Sequence, residues 1–157
     1  MRNLIVYMTH HGTTQKVVER LADGLGRDDT AVVNLEMDLI PDITTFETVI
    51  VGGSIHIGQI QPKIKRFCEQ QKELLLTRNL GLFLCFMNKE LAQQEFKNAY
   101  PKELRDQAIA HGLFGGGFLI EKMNFVEKFI VKKVAKEVKT RSELDFSAIE
   151  GFIATIK

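Results

Sequence analysis

The sequence is poor in cysteine and proline and has no long apolar run. Its two cysteines, Cys68 and Cys85, are far apart and lie in apolar helix and strand patterns, which favours reduced, buried thiols over a disulfide or a metal site. Three prolines in 157 residues leave little room for a linker, so we expect residues 1–157 to form one domain. The chain contains no run of about 18 apolar residues, so no membrane span is predicted. The first residues enter a strand pattern without a charged leader, so we expect a cytoplasmic protein.

Apolar runs of strand length alternate with helical patterns along the chain. The expected strands are at 3–8, 31–35, 48–52, 80–87 and about 110–115. Helices are predicted after the first strand, from Pro62 onward, and at 89–98 and 102–109. Buried strands that alternate with helices predict an α/β fold, a doubly wound, five-stranded parallel sheet. The ligand of such a sheet binds beyond the carboxyl ends of the strands.

The first strand runs directly into the turn Thr9–Thr14, which opens a helix. The N-terminus of a helix carries unpaired N–H groups and the positive end of the helix dipole, and the threonine hydroxyls add donors. The turn therefore predicts a phosphate site. The alternative is that Thr9 only caps the helix and the turn binds nothing.

Two further strand ends are rich in glycine, at Gly52–Gly58 and at Gly115–Gly117. In the predicted topology they share an edge with the first turn, and together they favour a nucleotide with a phosphate and a flat ring over three unrelated turns. The first turn lacks both the G-x-G-x-x-G spacing of dinucleotide sites and the Gly-Lys-Ser/Thr of triphosphate sites. A nucleotide monophosphate remains. The acidic residues of a receiver domain and the loop cysteine of a small tyrosine phosphatase are also missing.

The turn Thr9-His10-His11-Gly12-Thr13-Thr14 resembles the phosphate loop of flavodoxins, which bind FMN. With Gly52–Gly58, the helix after it and Gly115–Gly117, the chain is similar to the flavodoxin-type protoporphyrinogen dehydrogenases. The resemblance implies the strand order 2-1-3-4-5 and a noncovalent FMN, with no metal and no assigned catalytic residue. The implied FMN-binding residues are Thr9, His10, His11, Gly12, Thr13, Thr14, Ser54, Ile55, His56, Ile57, Phe86, Met87, Asn88, Gly115, Gly116, Gly117 and Phe118.

The tail adds to this resemblance, and three features depart from it. Helical patterns cover both Met123–Val138 and Phe146–Ile156, where an ordinary flavodoxin has one final helix, and the dehydrogenase family has the extra helix too. However, His56 and Ile57 stand where that family often has a basic and an aromatic residue. The chain also has no tryptophan, and the segment between the fourth and fifth strands is shorter.

These features leave two redox functions and one further alternative. An electron carrier would exchange electrons with a redox partner protein, whereas a dehydrogenase would oxidise a tetrapyrrole, protoporphyrinogen IX in haem biosynthesis, and reduce a quinone. The third alternative is a domain that has lost its flavin. Residues 1–59 carry net charge −4 and residues 60–157 carry +5. The chain therefore lacks the strong acidity that is typical of carrier flavodoxins.

The basic excess is concentrated on a predicted amphipathic helix at 121–141. Such a helix could make peripheral contact with the inner face of the membrane, near a quinone. The alternative, usual for surface helices, is an apolar stripe packed on the domain beneath solvated lysines. We expect no nucleic acid partner, because the charge is modest and no strand combines aromatic with basic residues.

Overall fold

A computed structural model of the chain describes residues 2–9, 12–116 and 144–157. Five parallel strands form its sheet in the spatial order β2-β1-β3-β5-β6, and β4 pairs antiparallel with the end of β3. The strands are β1 (Asn3–Tyr7), β2 (Thr30–Asn34), β3 (Thr48–His56), β4 (Gln59–Ile60), β5 (Asn79–Cys85) and β6 (Ala110–Leu113). The predicted five-stranded order is confirmed, with β4 as an addition.

Helices connect the strands and cover both faces of the sheet. They are α1 (Thr13–Leu25), α2 (Pro62–Gln70), α3 (Lys72–Leu75), α4 (Ala92–Ala99), α5 (Lys102–Gln107) and α6 (Phe146–Ile156), with short 3-10 turns at Arg27–Asp29 and Ile43–Thr45. Pro62 occupies the first turn of α2, where its missing N–H costs no helical hydrogen bond. None of the helices in these described ranges is both long and apolar enough to span a bilayer.

Alternating side chains of the central strands supply two separate cores. Leu4 and Val6 of β1 point into a core shared with α2, α3, α4 and α5. Ile5 and Tyr7 point to the opposite face and pack with α1 and α6. Because side chains alternate across a strand, an uninterrupted apolar strand requires helices on both faces. The sheet is therefore buried on both sides, and its carboxyl edge is left for a ligand.

Glycine residues within the strands make room for aromatic rings of the α1 and α6 core. A Cβ atom at Gly52 would lie 2.1 Å from the Phe83 ring, and one at Gly81 would lie 2.8 Å from Cζ of Phe152. The Phe83 ring stacks on that of Phe114 with centroids 5.3 Å apart. Gly52 is therefore a packing residue inside the sheet and does not belong to a loop.

Several predicted boundaries differ from the structure. The third strand was predicted to end at residue 52 but continues to His56, because its end is paired with β4 in a hairpin. The fourth and fifth strands end at Cys85 and Leu113, before the predicted 87 and 115. The predicted helix Phe146–Ile156 is confirmed as α6. The predicted helix Met123–Val138, and with it the basic segment 121–141, lies outside the described residues.

Candidate functional site

The N-terminus of α1 lies at the carboxyl edge of the sheet, where β1 ends. Its N-cap residue is Gly12, in the left-handed region at φ 83°, and no side chain of the described residues caps the helix. The Thr9 hydroxyl instead accepts a hydrogen bond of 3.2 Å from the Gly12 N–H. Thr9 is therefore not the N-cap residue of α1, although its hydroxyl bonds the backbone directly before the helix. The first turn also holds no acidic residue, so its N–H groups and dipole remain suited to an anion.

Thr14, in the first turn of α1, carries a buried hydroxyl with an unmet bonding capacity. The residue is 0% exposed, and Oγ1 has no hydrogen-bond partner among the described residues. The Thr14 hydroxyl lies close enough to the Cys85 thiol to lower the pKa of that thiol, but sulfur is a weak hydrogen-bond partner. A buried hydroxyl without a strong partner destabilises a protein, so this position calls for a functional explanation.

The third predicted loop meets this turn. A Cβ atom at Gly116 would lie 3.1 Å from Cγ2 of Thr13 and 3.7 Å from Cβ of Cys85. Gly116 has φ 142°, and the Gly115 carbonyl accepts a hydrogen bond of 3.1 Å from the Phe86 N–H. The ends of β1, β5 and β6 are thus in contact, as the topology predicted.

The second predicted loop is a β-hairpin that extends past the end of the sheet. Ile55 pairs with Ile60 and His56 with Gln59, so Ile57 and Gly58 form a two-residue turn. Both turn residues have positive φ, 51° and 74°, as a type I′ turn requires. Ile57 is a β-branched residue in this left-handed conformation and its side chain is 90% exposed. The turn is therefore strained and gains no packing from its isoleucine.

Gln61, which the sequence analysis did not single out, joins the hairpin to the first turn. Its Oε1 accepts a hydrogen bond of 3.1 Å from the Ser54 N–H, and its Nε2 donates to Ser54 Oγ at 2.8 Å. Nε2 also donates to the Met8 carbonyl at 3.2 Å. The residue lies directly before Pro62, so its sequence position indicated only the start of a helix.

In the segment after β5, one side chain is already hydrogen-bonded to the local backbone. The Phe86 side chain is buried, and Met87 and Asn88 are half-buried. Oδ1 of Asn88 accepts a hydrogen bond from the Glu90 N–H at 3.0 Å, which closes a turn before α4. These three residues lie at the predicted edge, but the Asn88 side-chain oxygen already has a structural partner.

The predicted site residues thus divide into two groups. The first group lies at or just past the carboxyl edge of the sheet and comprises Thr9, Gly12, Thr13, Thr14, Ser54, Ile55, His56, Ile57, Phe86, Met87, Asn88, Gly115 and Gly116. The second group is outside the described residues and comprises His10, His11, Gly117 and Phe118. Within the described ranges, no cluster of three or more metal-ligating side chains is present.

Burial raises the pKa of two thiols and one carboxyl group. It raises the pKa of the Cys68 and Cys85 thiols to about 12, so both are protonated at neutral pH. Both cysteines are free, in agreement with the sequence analysis. Burial also raises the pKa of the Glu95 carboxyl, whose Oε1 has no hydrogen-bond partner in the described part of the chain.

A separate groove lies on the α2 side of the sheet. It encloses about 240 Å³ between the segment after β2 and helix α2, with Leu39, Arg66 and Phe67 in its lining. The groove shares none of the predicted site residues. The three loops at the carboxyl edge therefore remain the candidate site.

Comparisons with known proteins agree with this geometry. A family model described as a flavodoxin domain matches residues 4–145. A flavodoxin from the domain Archaea superposes with a TM-score of 0.54 at 16% identity, over 88% of this chain and 99% of that chain. The two-electron reduced flavodoxin of Megasphaera elsdenii gives a TM-score of 0.56 at 16% identity, over 71% of this chain and 84% of that chain.

A larger protein contains a similar domain. Rubredoxin oxygen:oxidoreductase from Desulfovibrio gigas superposes with a TM-score of 0.55 at 15% identity, over 99% of this chain but only 37% of that chain. Among curated proteins, none matches the sequence. At these identities the structural likenesses establish the fold.

Proposed function

Because the chain belongs to the flavodoxin-domain family, we propose that it binds FMN noncovalently and transfers electrons through the bound flavin. The observation that carries this proposal is the buried, unsatisfied Thr14 hydroxyl on an α1 N-terminus that no described side chain caps. A phosphate would supply the missing acceptor and would lie at the positive end of the helix dipole.

The predicted site residues offer groups for each chemical part of FMN. Thr9, Gly12, Thr13 and Thr14 would hold the phosphate, together with His10 and His11. The ring would lie between the hairpin residues Ser54–Ile57 and the opposite segments at 86–88 and 115–118. When bound, the flavin supplies the hydride and electron chemistry, and the protein supplies binding, orientation and hydrogen bonds.

The test is a titration of the apoprotein with FMN, with riboflavin as the control that lacks the phosphate. We expect flavin fluorescence to change at low FMN concentration and at a much higher riboflavin concentration, because only FMN reaches the α1 terminus. Equal affinity for the two flavins would contradict the phosphate assignment. If neither flavin binds, the proposed function fails as a whole.

The finer function has two candidates, and the first is an electron carrier with a redox partner protein. The second is a quinone-linked protoporphyrinogen IX dehydrogenase. One feature favours the enzyme: α6 already covers the sheet face beside α1, so the 27 residues at 117–143 exceed what the five-stranded sheet requires. His56 and Ile57, both exposed, stand where the dehydrogenase family often has a basic and an aromatic residue, and this departure favours the carrier.

Turnover separates the two candidates. The FMN-loaded protein is mixed anaerobically with protoporphyrinogen and a soluble quinone, and porphyrin formation is followed by its fluorescence. Saturable formation above an FMN-only control supports the dehydrogenase. Its absence, with ready reduction of the bound flavin by a flavin reductase, supports the carrier.

Contact with the membrane is a separate proposal that concerns the basic segment 121–141. Sedimentation with vesicles of anionic lipid, lost at high salt, would support it, because electrostatic attraction to a lipid surface is screened by salt. No sedimentation at low salt would contradict it and would favour a protein that works in the cytoplasm with diffusing partners.

A further inference from the structure

Gln61 is buried between two of the loops of the candidate site, with 3% of its surface exposed. Its side chain makes hydrogen bonds that link the end of β1 to the hairpin, through the Met8 carbonyl and Ser54. A Cβ atom at residue 53 would lie 2.5 Å from Oε1, so Gly53 provides the space for this amide.

The orientation of the Gln61 amide is fixed by two backbone groups. The Ser54 N–H is a donor, so the atom facing it at 3.1 Å is the amide oxygen. The Met8 carbonyl is an acceptor, so the atom facing it at 3.2 Å is the amide nitrogen. Both contacts require the same orientation, and the reversed amide would place like groups against each other at both positions.

This orientation determines the role of the Ser54 hydroxyl. Nε2 carries hydrogens and no lone pair available for bonding, so Ser54 Oγ accepts the 2.8 Å hydrogen bond from it. The single hydrogen of the hydroxyl is then left for another acceptor. Ser54 is half-buried and pairs with Cys85 at the end of the sheet, beside the loop that carries Gly116.

We propose that Gln61 is a positioning residue that holds the Ser54 hydroxyl as a hydrogen-bond donor to the flavin ring. This inference rests on the proposed function, since it states which group of the same site donates a hydrogen bond to the flavin. Reduction adds electron density to the ring, so a fixed donor stabilises reduced FMN more than oxidised FMN. The Gln61 amide thereby raises the midpoint potential without itself touching the ring.

The experiment measures FMN affinity and the two-electron midpoint potential for four proteins: wild type, Ser54→Ala, Gln61→Leu and the double variant. We expect each single variant to bind oxidised FMN about threefold and reduced FMN about thirtyfold more weakly, as for one hydrogen bond to a neutral and to a charged group. The tenfold difference corresponds to a midpoint potential about 30 mV lower. Because both residues act through one hydroxyl, the double variant should match the single variants rather than multiply their effects.

Gln70→Leu is the matched control, because it makes the same change at an exposed position, the last residue of the helix α2 that follows Gln61. It should leave both quantities as in wild type. If Gln61→Leu does not fold, Gln61→Glu decides the question: it keeps an acceptor for the Ser54 N–H but attracts the Ser54 hydroxyl hydrogen. We expect it to lower the potential in the wild-type background much more than in the Ser54→Ala background.

Two results would overturn the inference while leaving the proposed function intact. One is a wild-type potential in Gln61→Leu, or in Gln61→Glu where the leucine variant does not fold. The other is a double variant in which the separate effects of Ser54→Ala and Gln61→Leu on FMN affinity multiply. If wild type and Gln70→Leu themselves bind no FMN, the proposed function is wrong and this inference falls with it.

Discussion

Replacing Thr14 with valine should change stability and ligand affinity in opposite directions. Valine has nearly the shape of threonine and a similar helix propensity, so the substitution removes the hydroxyl with little other change. In the apoprotein Oγ1 is buried without a hydrogen-bond partner among the described residues. An unsatisfied buried polar group costs about 1–3 kcal/mol, and the weak contact with the Cys85 thiol places this one near the lower limit.

We therefore expect Thr14→Val to raise the free energy of unfolding of the apoprotein by about 1 kcal/mol. For a chain of this length, that is a rise in Tm of about 2–4 °C. The same change should weaken FMN binding about 10- to 150-fold, because a hydrogen bond to a charged phosphate contributes about 1.5–3 kcal/mol. Riboflavin affinity should not change, since riboflavin has no phosphate.

Thermal and denaturant unfolding of the apoprotein measure the first effect, and fluorescence titrations measure the second. Thr155→Val is the matched control: Thr155 lies on α6, exposed, and its hydroxyl donates only to the Gly151 carbonyl at 2.9 Å. It should change stability by less than about 0.5 kcal/mol and leave FMN binding intact. A Thr14→Val protein that is less stable than wild type and binds FMN equally well would refute the reasoning.

Three further predictions concern the rest of the carboxyl edge and its surroundings. Ile57→Asn should stabilise the protein by about 1 kcal/mol in denaturant unfolding, because asparagine tolerates the left-handed conformation that exposed Ile57 adopts at φ 51°; a lower stability would contradict the strained turn. Burial raises the folded-state pKa of Glu95, so its contribution to stability is lost as pH rises through that pKa, and Glu95→Gln should raise Tm at about pH 8 but not at about pH 4. Equal shifts at both pH values would refute this. Cys68 and Cys85, with thiol pKa values of about 12, should react with a thiol reagent only after unfolding, and rapid labelling of the native protein would show that they are accessible.

The doubly wound parallel sheet could be predicted from the sequence because the strands obey a simple physical requirement, whereas the strand order 2-1-3-4-5 was implied by the resemblance to flavodoxins. Leu4, Ile5 and Val6 are successive apolar residues, and successive strand residues face opposite sides, so both faces of the sheet must be covered. Helical connections between the strands favour parallel pairing with right-handed crossovers, and parallel strands end on one edge of the sheet. The contact between Gly116 and Thr13 follows from this topology.

The hairpin and Gln61 could not be predicted in the same way. Gly52, Gly53 and Ser54 interrupt the apolar run, so the third strand was predicted to end at 52, although it continues to His56. Pairing with β4 sustains the strand beyond this point, and that pairing depends on a turn whose isoleucine contradicts ordinary turn preferences. Gln61 has no periodic signal, since its importance comes from partners at Met8 and Ser54, which only the folded chain brings together.

The glycines near the carboxyl edge have a packing role that the sequence did not indicate. Gly52 makes room for the Phe83 ring and Gly53 for the Gln61 amide. Gly116 likewise accommodates Thr13. These three glycines are used for close packing inside the protein, and they bring the loops together. Hydroxyls and helix N–H groups are the hydrogen-bonding groups that this packing leaves at the edge for a ligand, so the polar specificity of the site depends on how the Thr14 and Ser54 hydroxyls are held.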